Sequence, residues 1–529
     1  MVDVLIVGGG GAGLTAALAA QEAGAAVAVL GKSYPTRSQT CMAQGGINAA
    51  LGHAGEDSVE AHIADTLKSS QGLADASAVA ALCSEGIDAL RWLDAVGVPF
   101  SRTEDAKIAQ RRLGGASAAR ACYAQDYSGL KILHTLFDQC NRAGIPFYNE
   151  RLLLDIVVES GRAKGVEVLN IRTGEVERHA ARAVILATGG YSRLYGRYST
   201  NAVGSTGDGH AAALRAGARL SDMEFVQFHP TGLANSSILI SESARGAGGH
   251  LLNAKGERFV DELLPRDRVA RAIHEQIAAG ETVRLDIRHL GEAFIDEELP
   301  QERKLAIRYE GVDPVSDPVP VKPVAHYTMG GIEVDAASQT AVAGLYAAGE
   351  CANHRVHGAN RLGGNSLLEL IVFGRQAGRN AAALAAQCAA MTAPHGTADP
   401  AKAQSGFNAD PEVDFYERRE ALAGLFYEKV GLVRDEAGLA EAREALRAMK
   451  EQLPKMGVKD SSMRYNTNRT DFLEFCSMLA VAETVVEGAL RRKESRGAHY
   501  RSDFARTEEA FAAHTLAGLK GGELCFDFE

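Results

Sequence analysis

Four side chains that can bind an anion lie in stretches of the sequence punctuated by glycine or proline. They are His229 in FVQFHPT, Arg266 in LPRDR, His326 in AHYTMGG and Arg361 in HGANRLGGNS. Any one of them alone is more typical of a salt-bridged or surface residue. Together they favour an anion pocket, because a dicarboxylate needs a bidentate arginine for one carboxylate and further donors for the other. A hydride acceptor held beside the carbon skeleton would complete a redox site.

A glycine-rich loop near the start of the sequence is suited to hold such an acceptor. Gly8, Gly10 and Gly13 satisfy G-x-G-x-x-G between the apolar run VDVLIV and a helical pattern. The glycines of this motif allow a tight turn, and the N–H groups at the start of the helix bind pyrophosphate. An acidic residue that binds ribose in NAD sites should follow about 20 residues later, but Lys32 stands at the end of the second strand. This argues against NAD and favours a larger dinucleotide with other anchors.

The elements around this loop predict a doubly wound sheet. VDVLIV, GGGGAG, LTAALAAQEAG and AAVAVL follow one another as strand, turn, helix and strand. Two later patterns, ARAVILATGG ending at Gly190 and GLYAAGE ending at Glu350, predict further strands of the same sheet. Their separation along the chain indicates an insertion. We therefore expect an α/β fold whose Rossmann-like nucleotide-binding domain comprises residues 1–228 and 327–395.

The insertion, residues 229–326, concentrates polar and charged residues in SESARGAGG, LLPRDRV and PVAHYTMGG. We expect it to form an α+β capping domain over the cofactor. After Ala390 the composition shifts through the linker APHGTADPAKAQSG into a long stretch of helical periodicity. This pattern predicts a helical domain at 408–496, followed by a short C-terminal tail at 497–529.

Composition limits the class of protein. The 529 residues include 46% apolar and 23% charged residues, which are ordinary values for a globular enzyme of two to four domains. The net charge of −11, from 67 acidic and 56 basic side chains, argues against a nucleic-acid partner. An anionic substrate must therefore be bound by a local cluster of cations.

The cysteines and the apolar runs indicate the compartment. None of the eight cysteines forms a C-x-x-C pair that could ligate zinc or an iron–sulfur cluster, and we expect reduced thiols. The sequence contains no run of 18 or more apolar residues and does not open on a secretory leader pattern. We expect a cytoplasmic protein without a membrane span.

Several long motifs occur in a fixed order along almost the whole chain. They are GGGGAG, PTRSQTCMAQGG, QRRLGG, STGDGH, FVQFHPTG, ISESARGAGG, PRDRVARAI, PVAHYTMGGI, GLYAAGE, HGANRLGGNSLLE and ESRGAHYRSDF. With these motifs, the chain resembles the flavoprotein subunit of the succinate dehydrogenase and fumarate reductase family.

The resemblance implies FAD as cofactor. The glycine-rich loop from Gly8 to Gly13, which we call the phosphate loop, would hold its pyrophosphate. The stretch from Gly31 to Gly46 would surround the isoalloxazine and ribityl groups. The residues implied are Gly8, Gly10, Gly11, Ala12, Gly13, Gly31, Lys32, Ser38, Gln39, Thr40, Ala43, Gln44, Gly45, Gly46, Asp208, Glu350, Ser366 and Leu367.

The resemblance also implies how a dicarboxylate would react. His229, Ser241, His326 and Arg361 would bind the substrate carboxylates, with Ser241 at a position where relatives usually have threonine. Flavin N5 would deliver hydride to one alkene carbon of fumarate while Arg266 protonates the other, and succinate oxidation would be the reverse. Because guanidinium normally stays protonated, Arg266 needs a relay. Glu242 and Arg245 match the relay of the family, although a plain i, i+3 ion pair is the alternative interpretation.

Gln39 is the most informative departure from the family pattern. Its position matches a histidine that, in membrane-bound members of the family, bonds covalently to the 8α carbon of the flavin. An amide cannot form that bond, so we predict non-covalent FAD; linkage through another side chain such as His53 is the alternative. A flavin alkylated through this bond is the better oxidant. The absence of the bond therefore favours fumarate reduction over succinate oxidation. Leu113 in QRRLGG and the run DYSGLKILHTL also differ from the usual family sequence and leave substrate fit there open.

The resemblance implies an iron–sulfur partner subunit and, through it, a membrane anchor or another electron carrier, because the cysteines of this sequence form no cluster-ligating set. Such partner subunits would place the chain at the inner face of the membrane. Three alternatives stay open. L-aspartate oxidase has the same fold, but its early substrate loop carries an acid where this chain has QRRLGGAS; flavin bleaching by L-aspartate or by succinate separates the two. A stand-alone soluble fumarate reductase would take electrons from a diffusible donor. A non-catalytic scaffold would keep the fold alone. The intact set of Arg266, Glu242, Arg245 and Arg361 argues against it.

Overall fold

The computed structural model describes residues 2–388 and 400–529. Residues 393–399 of the predicted linker, and the predicted end of the nucleotide-binding domain at residue 395, lie outside the described residues. The strands in chain order are β1 Val2–Val7, β2 Val27–Gly31, β3 Ile47–Asn48, β4 Gln110–Arg111, β5 Ala121–Cys122, β6 Phe147–Asn149, β7 Arg151–Glu159, β8 Arg162–Asn170, β9 Val176–Leu186, β10 Leu220–Ser221, β11 Val226–Leu233, β12 His250–Leu252, β13 Val283–Asp286, β14 Val319–Thr328, β15 Gly331–Glu333, β16 Leu345–Ala347, β17 Ala352–Asn353, β18 Thr515–Lys520 and β19 Glu523–Phe528.

The α-helices alternate with these strands in the first part of the chain and dominate its last part. In chain order they are α1 Gly11–Glu22, α2 Val59–Ser69, α3 Ala76–Ser84, α4 Gly86–Ala95, α5 Ser128–Arg142, α6 Asp208–Arg215, α7 Glu242–Gly246, α8 Arg266–Ala278, α9 Glu292–Glu298, α10 Pro300–Glu310, α11 Asn365–Gln387, α12 Pro400–Ala403, α13 Phe415–Lys429, α14 Glu436–Gln452 and α15 Thr467–Arg491.

The main sheet has the strand order β6-β2-β1-β9-β8-β7, and β16 also pairs with β9. The pairs of β1 with β2 and β9, of β2 with β6, and of β9 with β16 are parallel. Strands β1, β2 and β16 and the last part of β9 are largely apolar, and helices α1 and α11 pack against this sheet. Parallel strands are typically buried on both faces in this way. Both later strand-to-glycine patterns form strands here, as β9 and β16, so the predicted fold class is confirmed.

The segment between β9 and β16 contains a separate antiparallel sheet with the order β11-β14-β13-β12. Helices α8 and α10 pack on it through a small apolar core that includes Val269, Ile273, Leu285 and Val321. This α+β unit lies where the sequence predicts the cap. Its predicted bounds, 229–326, fall inside β11 and β14, and the division into domains stays a prediction.

The predicted helical region contains α13, α14 and α15. Each begins with a side-chain cap, in which Asp414, Asp435 and Asn466 accept main-chain N–H bonds. Such caps satisfy N–H groups that a helix leaves free at its start. Helix α15 is buried along much of its length, and its apolar side chains belong to the same core as those of the main sheet. The segment predicted as a tail adds a β-hairpin, β18 and β19, and β18 pairs with β10.

Candidate active site

A cavity of about 440 Å³ opens where the parallel strands of the main sheet end. Residues that directly follow β1, β2, β9 and β16 line it, which is the usual ligand position in an open α/β sheet. Residues of the capping sheet and of the helical region close its other sides. The cavity therefore brings together stretches that are far apart along the chain.

The glycine loop lies against one end of this cavity, and its glycines are required by close backbone contacts. Gly8 has a φ of +118°, and a Cβ atom there would lie 2.0 Å from the carbonyl oxygen of Ala187. At Gly13 a Cβ atom would lie 1.9 Å from the oxygen of Gly8. Helix α1 has no side-chain cap at Gly10. Apart from Gly11, whose N–H donates to Thr40 Oγ1 at 3.1 Å, the first turn therefore presents N–H groups to an anion.

The polar lining of the cavity fits a large polar cofactor. Ser38 Oγ, Gln44 Oε1 and Asp208 Oδ1 are buried and have no hydrogen-bond partner among the described residues. Buried polar atoms are rarely left without a partner, so these three atoms indicate a ligand. Seventeen of the predicted cofactor residues line the cavity, namely Gly8, Gly10, Gly11, Ala12, Gly31, Lys32, Ser38, Gln39, Thr40, Ala43, Gln44, Gly45, Gly46, Asp208, Glu350, Ser366 and Leu367, while Gly13 packs behind the loop.

Lys32 stands where an NAD site would have an acid, and it binds carboxylates from two distant elements. Its Nζ donates to Asp208 Oδ2 at 2.5 Å and to Glu474 Oε1 of α15 at 2.7 Å. Burial alone would lower the pKa of Lys32, but the charges of Asp208 and Glu474 outweigh it and raise that pKa. The lysine thus stays charged at the cavity wall. Glu474 carried no signal in the sequence, because it lies in an ordinary helical pattern.

Gln39 lines the cavity and has a defined partner. Its Oε1 accepts a hydrogen bond of 2.6 Å from the main-chain N–H of Ala202. His53, the alternative candidate for a covalent link, does not line the cavity; its Nδ1 lies 3.0 Å from the carbonyl oxygen of Ile108. Of these two side chains, only Gln39 is therefore placed at the site.

Two buried histidines face each other at the other end of the cavity. The rings of His229 and His326 have centroids 4.9 Å apart, and both residues line the cavity. Burial, followed by the charge of Arg266, lowers the pKa of both rings well below the usual value, so both are neutral at physiological pH. The main-chain N–H of Thr231 donates to His229 Nδ1 at 3.2 Å, which leaves the proton of this ring on Nε2. Neutral donors of this kind suit a carboxylate.

Arg361 supplies a buried cation beside the histidines. Its guanidinium lies 4.2 Å from the ring centroid of Tyr327 in a cation–π contact. Tyr327 is held in turn, because its hydroxyl donates to Glu369. Burial and the charge of Arg266 lower the pKa of Arg361 to about 10, which still leaves it protonated at neutral pH. Its Nε has no partner among the described residues and is free to bind an anion.

Arg266 and Glu242 form a buried ion pair. Arg266 Nε donates to Glu242 Oε2 at 2.8 Å, and the other oxygen of Glu242 accepts from the N–H of Gly114 at 2.6 Å. Burial acts to raise the pKa of Glu242, but Arg266 and Arg245 outweigh it and lower that pKa. Arg245 lies behind the pair, with NH2 3.9 Å from Glu242 Oε1. Removing one partner of such a pair costs about 3–5 kcal/mol.

Gln227 links the two arginines, and it was not among the predicted site residues. Its Oε1 accepts from Arg266 NH1 and from Arg361 NH2, each at 3.1 Å. Its Nε2 donates to Asn360 Oδ1 at 2.8 Å, so the amide orientation is fixed. The motif FVQFHPT contains this residue, but an amide two positions before the histidine gave no chemical signal by itself. Gln227 sets the spacing between the two guanidinium groups.

The remaining predicted site residues complete the substrate end. Ser241 lines the cavity and caps α7, where its Oγ accepts from the N–H of Ser243 at 3.1 Å. Leu113 is also in the lining. His354 and His357 are not, and they bind Ser338 and Glu369 instead. These two histidines support the loop that carries Arg361.

Residues 2–388 and 400–529 contain neither a candidate metal site nor a candidate membrane-spanning helix. No group of three or more histidine, cysteine, aspartate or glutamate side chains is arranged to hold a metal ion in these ranges. Over the same ranges, no helix combines the length and the apolar composition needed to cross a membrane.

Comparisons with known proteins agree with this arrangement. Residues 3–367 match a model described as FAD binding domain, and residues 419–528 match one described as Fumarate reductase flavoprotein C-term. The chain is 39% identical to the 8-methylmenaquinol:fumarate reductase flavoprotein subunit of Wolinella succinogenes, over 98% of this chain and 88% of that protein. It is 41% identical to the fumarate reductase flavoprotein subunit of Mycobacterium tuberculosis, over 97% and 94%. A solved quinol–fumarate reductase with menaquinol molecules superposes with a TM-score of 0.95 at 38% identity, over 100% of this chain and 97% of that chain.

Proposed function

The chain belongs to the fumarate reductase and succinate dehydrogenase flavoprotein family, and from this premise we propose that it interconverts fumarate and succinate in the cavity described above. One observation carries the proposal. The buried pair of Arg266 and Glu242, the free cation of Arg361 and two neutral histidines line the same cavity as the phosphate loop. A dicarboxylate and a flavin are the two ligands that this combination suits.

The residues have separate roles in this proposal. Arg361 binds one substrate carboxylate, and the Nε2–H of His229, the ring of His326 and the Ser241 hydroxyl bind the other. Arg266 donates the proton to the alkene carbon, and Glu242 returns a proton to it from Arg245. The short contact between Arg266 and Glu242 and the 3.9 Å gap to Arg245 support this order. When bound, FAD supplies the two-electron chemistry that this chain lacks.

Electrons need a route to another molecule, and we propose an iron–sulfur partner subunit. No C-x-x-C pair occurs among the eight cysteines, so the chain carries no evident cluster ligands. We propose that the partner connects the flavin with a membrane anchor or another electron carrier. A stand-alone fumarate reductase stays the alternative.

The isolated chain is expected to oxidise a reduced low-potential dye with fumarate but to show little activity with quinone. The physical reason is that a small dye would exchange electrons directly with a bound flavin, whereas electron transfer to quinone needs an iron–sulfur cluster, for which the eight cysteines offer no C-x-x-C pair. Dye bleaching is followed with fumarate, and quinone reduction is followed with succinate as the electron donor. L-aspartate is offered in parallel as reductant of the oxidised flavin. Robust quinone activity would contradict the multisubunit proposal, and flavin bleaching by L-aspartate alone would favour an aspartate oxidase.

We also propose that FAD is bound without a covalent link. Gln39 occupies the linking position, and its Oε1 accepts a hydrogen bond from Ala202 rather than offering a nucleophile. We expect all flavin in the supernatant after acid precipitation of the purified holoprotein, measured by fluorescence. Flavin that stays with the washed polypeptide would overturn this. Gln39→His is the matched variant. Retention of flavin in its pellet would show that a histidine side chain at this position is sufficient for the covalent link.

A further inference from the structure

Two buried carboxyl groups meet outside the proposed relay, where the capping unit contacts the FAD-binding part. Glu302 lies in the first turn of α10, and Asp126 lies in the loop before α5. Asp126 is 0% and Glu302 is 1% exposed. Neither lines the cavity. Neither group has a role in the proposed reaction, although burying an isolated carboxylate costs free energy of folding.

Their hydrogen bonds connect the FAD-binding part with the loop between β11 and α7 that carries Ser241, which we call the substrate loop. Asp126 Oδ2 accepts from the main-chain N–H groups of Gln301 and Glu302, at 2.7 and 3.0 Å, and so caps α10 from outside its own segment. Glu302 Oε1 accepts from the main-chain N–H of Ser241 at 3.0 Å. Ser241 directly precedes Glu242. The pair therefore determines where this loop lies against the FAD-binding part.

The pair does not have enough positive charge around it for two ionised groups. Asp126 Oδ1 and Glu302 Oε2 are buried and have no partner among the described residues. The nearby cation is Arg111, which donates its hydrogen bonds to main-chain oxygens of Gln44, Gly45 and Gln125 instead. Tyr123 and Glu298 also face Arg111, and Glu298 adds negative charge.

Protonation follows from this environment. Burial, followed by the charge of Asp126, raises the pKa of Glu302 to about 8, although Ser241 and Arg111 act in the opposite direction. Burial also raises the pKa of Asp126, to about 6. The two groups titrate as a pair, and the pair retains a proton at neutral pH.

We propose that Glu302 is a positioning residue for the dicarboxylate site, which as a neutral acid beside Asp126 holds the Ser241 main chain, and with it the substrate loop, in the binding position. The proposal rests on the proposed function, because it takes Ser241 as a substrate-binding residue. When the proton leaves for solvent at alkaline pH, two buried negative charges repel each other across the contact. The loop then loses its position, and the dicarboxylate binds less tightly.

Glu302→Gln tests the proposal because glutamine keeps the acceptor for Ser241 and does not titrate. In the wild-type holoprotein, the KM for fumarate should rise by up to about tenfold for each pH unit above the pKa, since only the protonated form is competent to bind. In E302Q this rise should be absent, and kcat should change less than KM in both proteins. Superimposable pH profiles of KM for wild-type and E302Q would overturn the proposal.

Two further variants separate positioning from general damage. Glu297→Gln makes the same change at an exposed position of the neighbouring helix α9, and it should keep the wild-type pH profile. Asp126→Asn removes the repulsion that follows ionisation and should also flatten the alkaline rise of KM. An Asp126→Asn profile like that of wild-type would contradict the shared role of the pair.

Infrared spectroscopy gives a measurement that needs no turnover. In the difference spectrum of wild-type minus E302Q holoprotein, the carbonyl stretch of a protonated carboxylic acid should be present at neutral pH and should disappear well above pH 8, the pKa region of Glu302. The difference removes the band of Glu350, whose pKa burial raises to about 7. Absence of the carbonyl band from the difference spectrum would overturn the proposal. A protein that shows the band but does not turn over fumarate would contradict the proposed function instead, so the two failures are distinguishable.

Discussion

Replacing Arg266 by lysine is expected to lower fumarate turnover by about 10²- to 10⁴-fold, the usual contribution of a positioned acid. The guanidinium contacts Glu242 through Nε and Gln227 through NH1, so it reaches two acceptors in a fixed plane. An ammonium is a point charge on a flexible stem and cannot keep both contacts while facing the substrate carbon. FAD content and dicarboxylate affinity should stay near wild-type, because Arg361 and the histidines remain. Steady-state kinetics and the flavin spectrum measure these quantities.

Arg268→Lys is the matched control for this variant. Arg268 lies on the same helix α8 but is exposed, and its replacement should leave turnover unchanged. Turnover of Arg266→Lys within a few fold of wild-type would reject Arg266 as the acid. A parallel loss of FAD would point to a folding defect, since Arg266 is not expected to hold the cofactor.

Replacing Arg361 by alanine is expected to weaken dicarboxylate binding by about 2–5 kcal/mol, or roughly 30- to 5,000-fold, the range for truncating one partner of a buried charge pair. Arg361 is 3% exposed, stacks on Tyr327 and has a free Nε, so no other described side chain replaces its charge at that position. The dissociation constant is measured from the change in flavin absorbance on titration with a dicarboxylate. The KM for fumarate should rise in parallel, with turnover at saturation affected less.

Arg355→Ala provides the comparison within the same loop. The side chain of Arg355 pairs with Glu333 and Glu529 away from the cavity, so its loss should leave dicarboxylate affinity near wild-type. Equal affinities of wild-type and Arg361→Ala would remove Arg361 from the substrate site. Equal losses in both variants would instead indicate a general effect on the loop.

Much of the fold could be predicted from local patterns in the sequence. The apolar runs before GGGGAG, ATGG and AAGE became β1, β9 and β16, because continuous apolar runs next to glycine turns are typical of parallel strands. The long periodic stretch after residue 411 became α13, α14 and α15. The hairpin of β18 and β19 was not predicted, because its pairing with β10 depends on a segment almost 300 residues earlier.

The candidate site was predictable where a residue type acts through its own chemistry. The arginines, the histidines and the glycines of the phosphate loop belong to this class. Gln227 and Glu302 do not, because their effect comes from which partners the fold places beside them. A glutamate in the first turn of a helix is ordinary in sequence. Only its burial against Asp126 and Ser241 makes it unusual.

The contact between Lys32 and Glu474 has a consequence for the biosynthesis of the protein. The two residues are 442 positions apart, and Arg419, also late in the chain, lies 3.5 Å from Glu474. At a translation rate of about 5–20 residues per second, the ribosome needs roughly 20–90 s to reach α15 after Lys32 has been made. During this interval the phosphate loop is complete while one wall of its cavity does not yet exist. The nascent chain therefore cannot enclose the cofactor fully before α15 has been made.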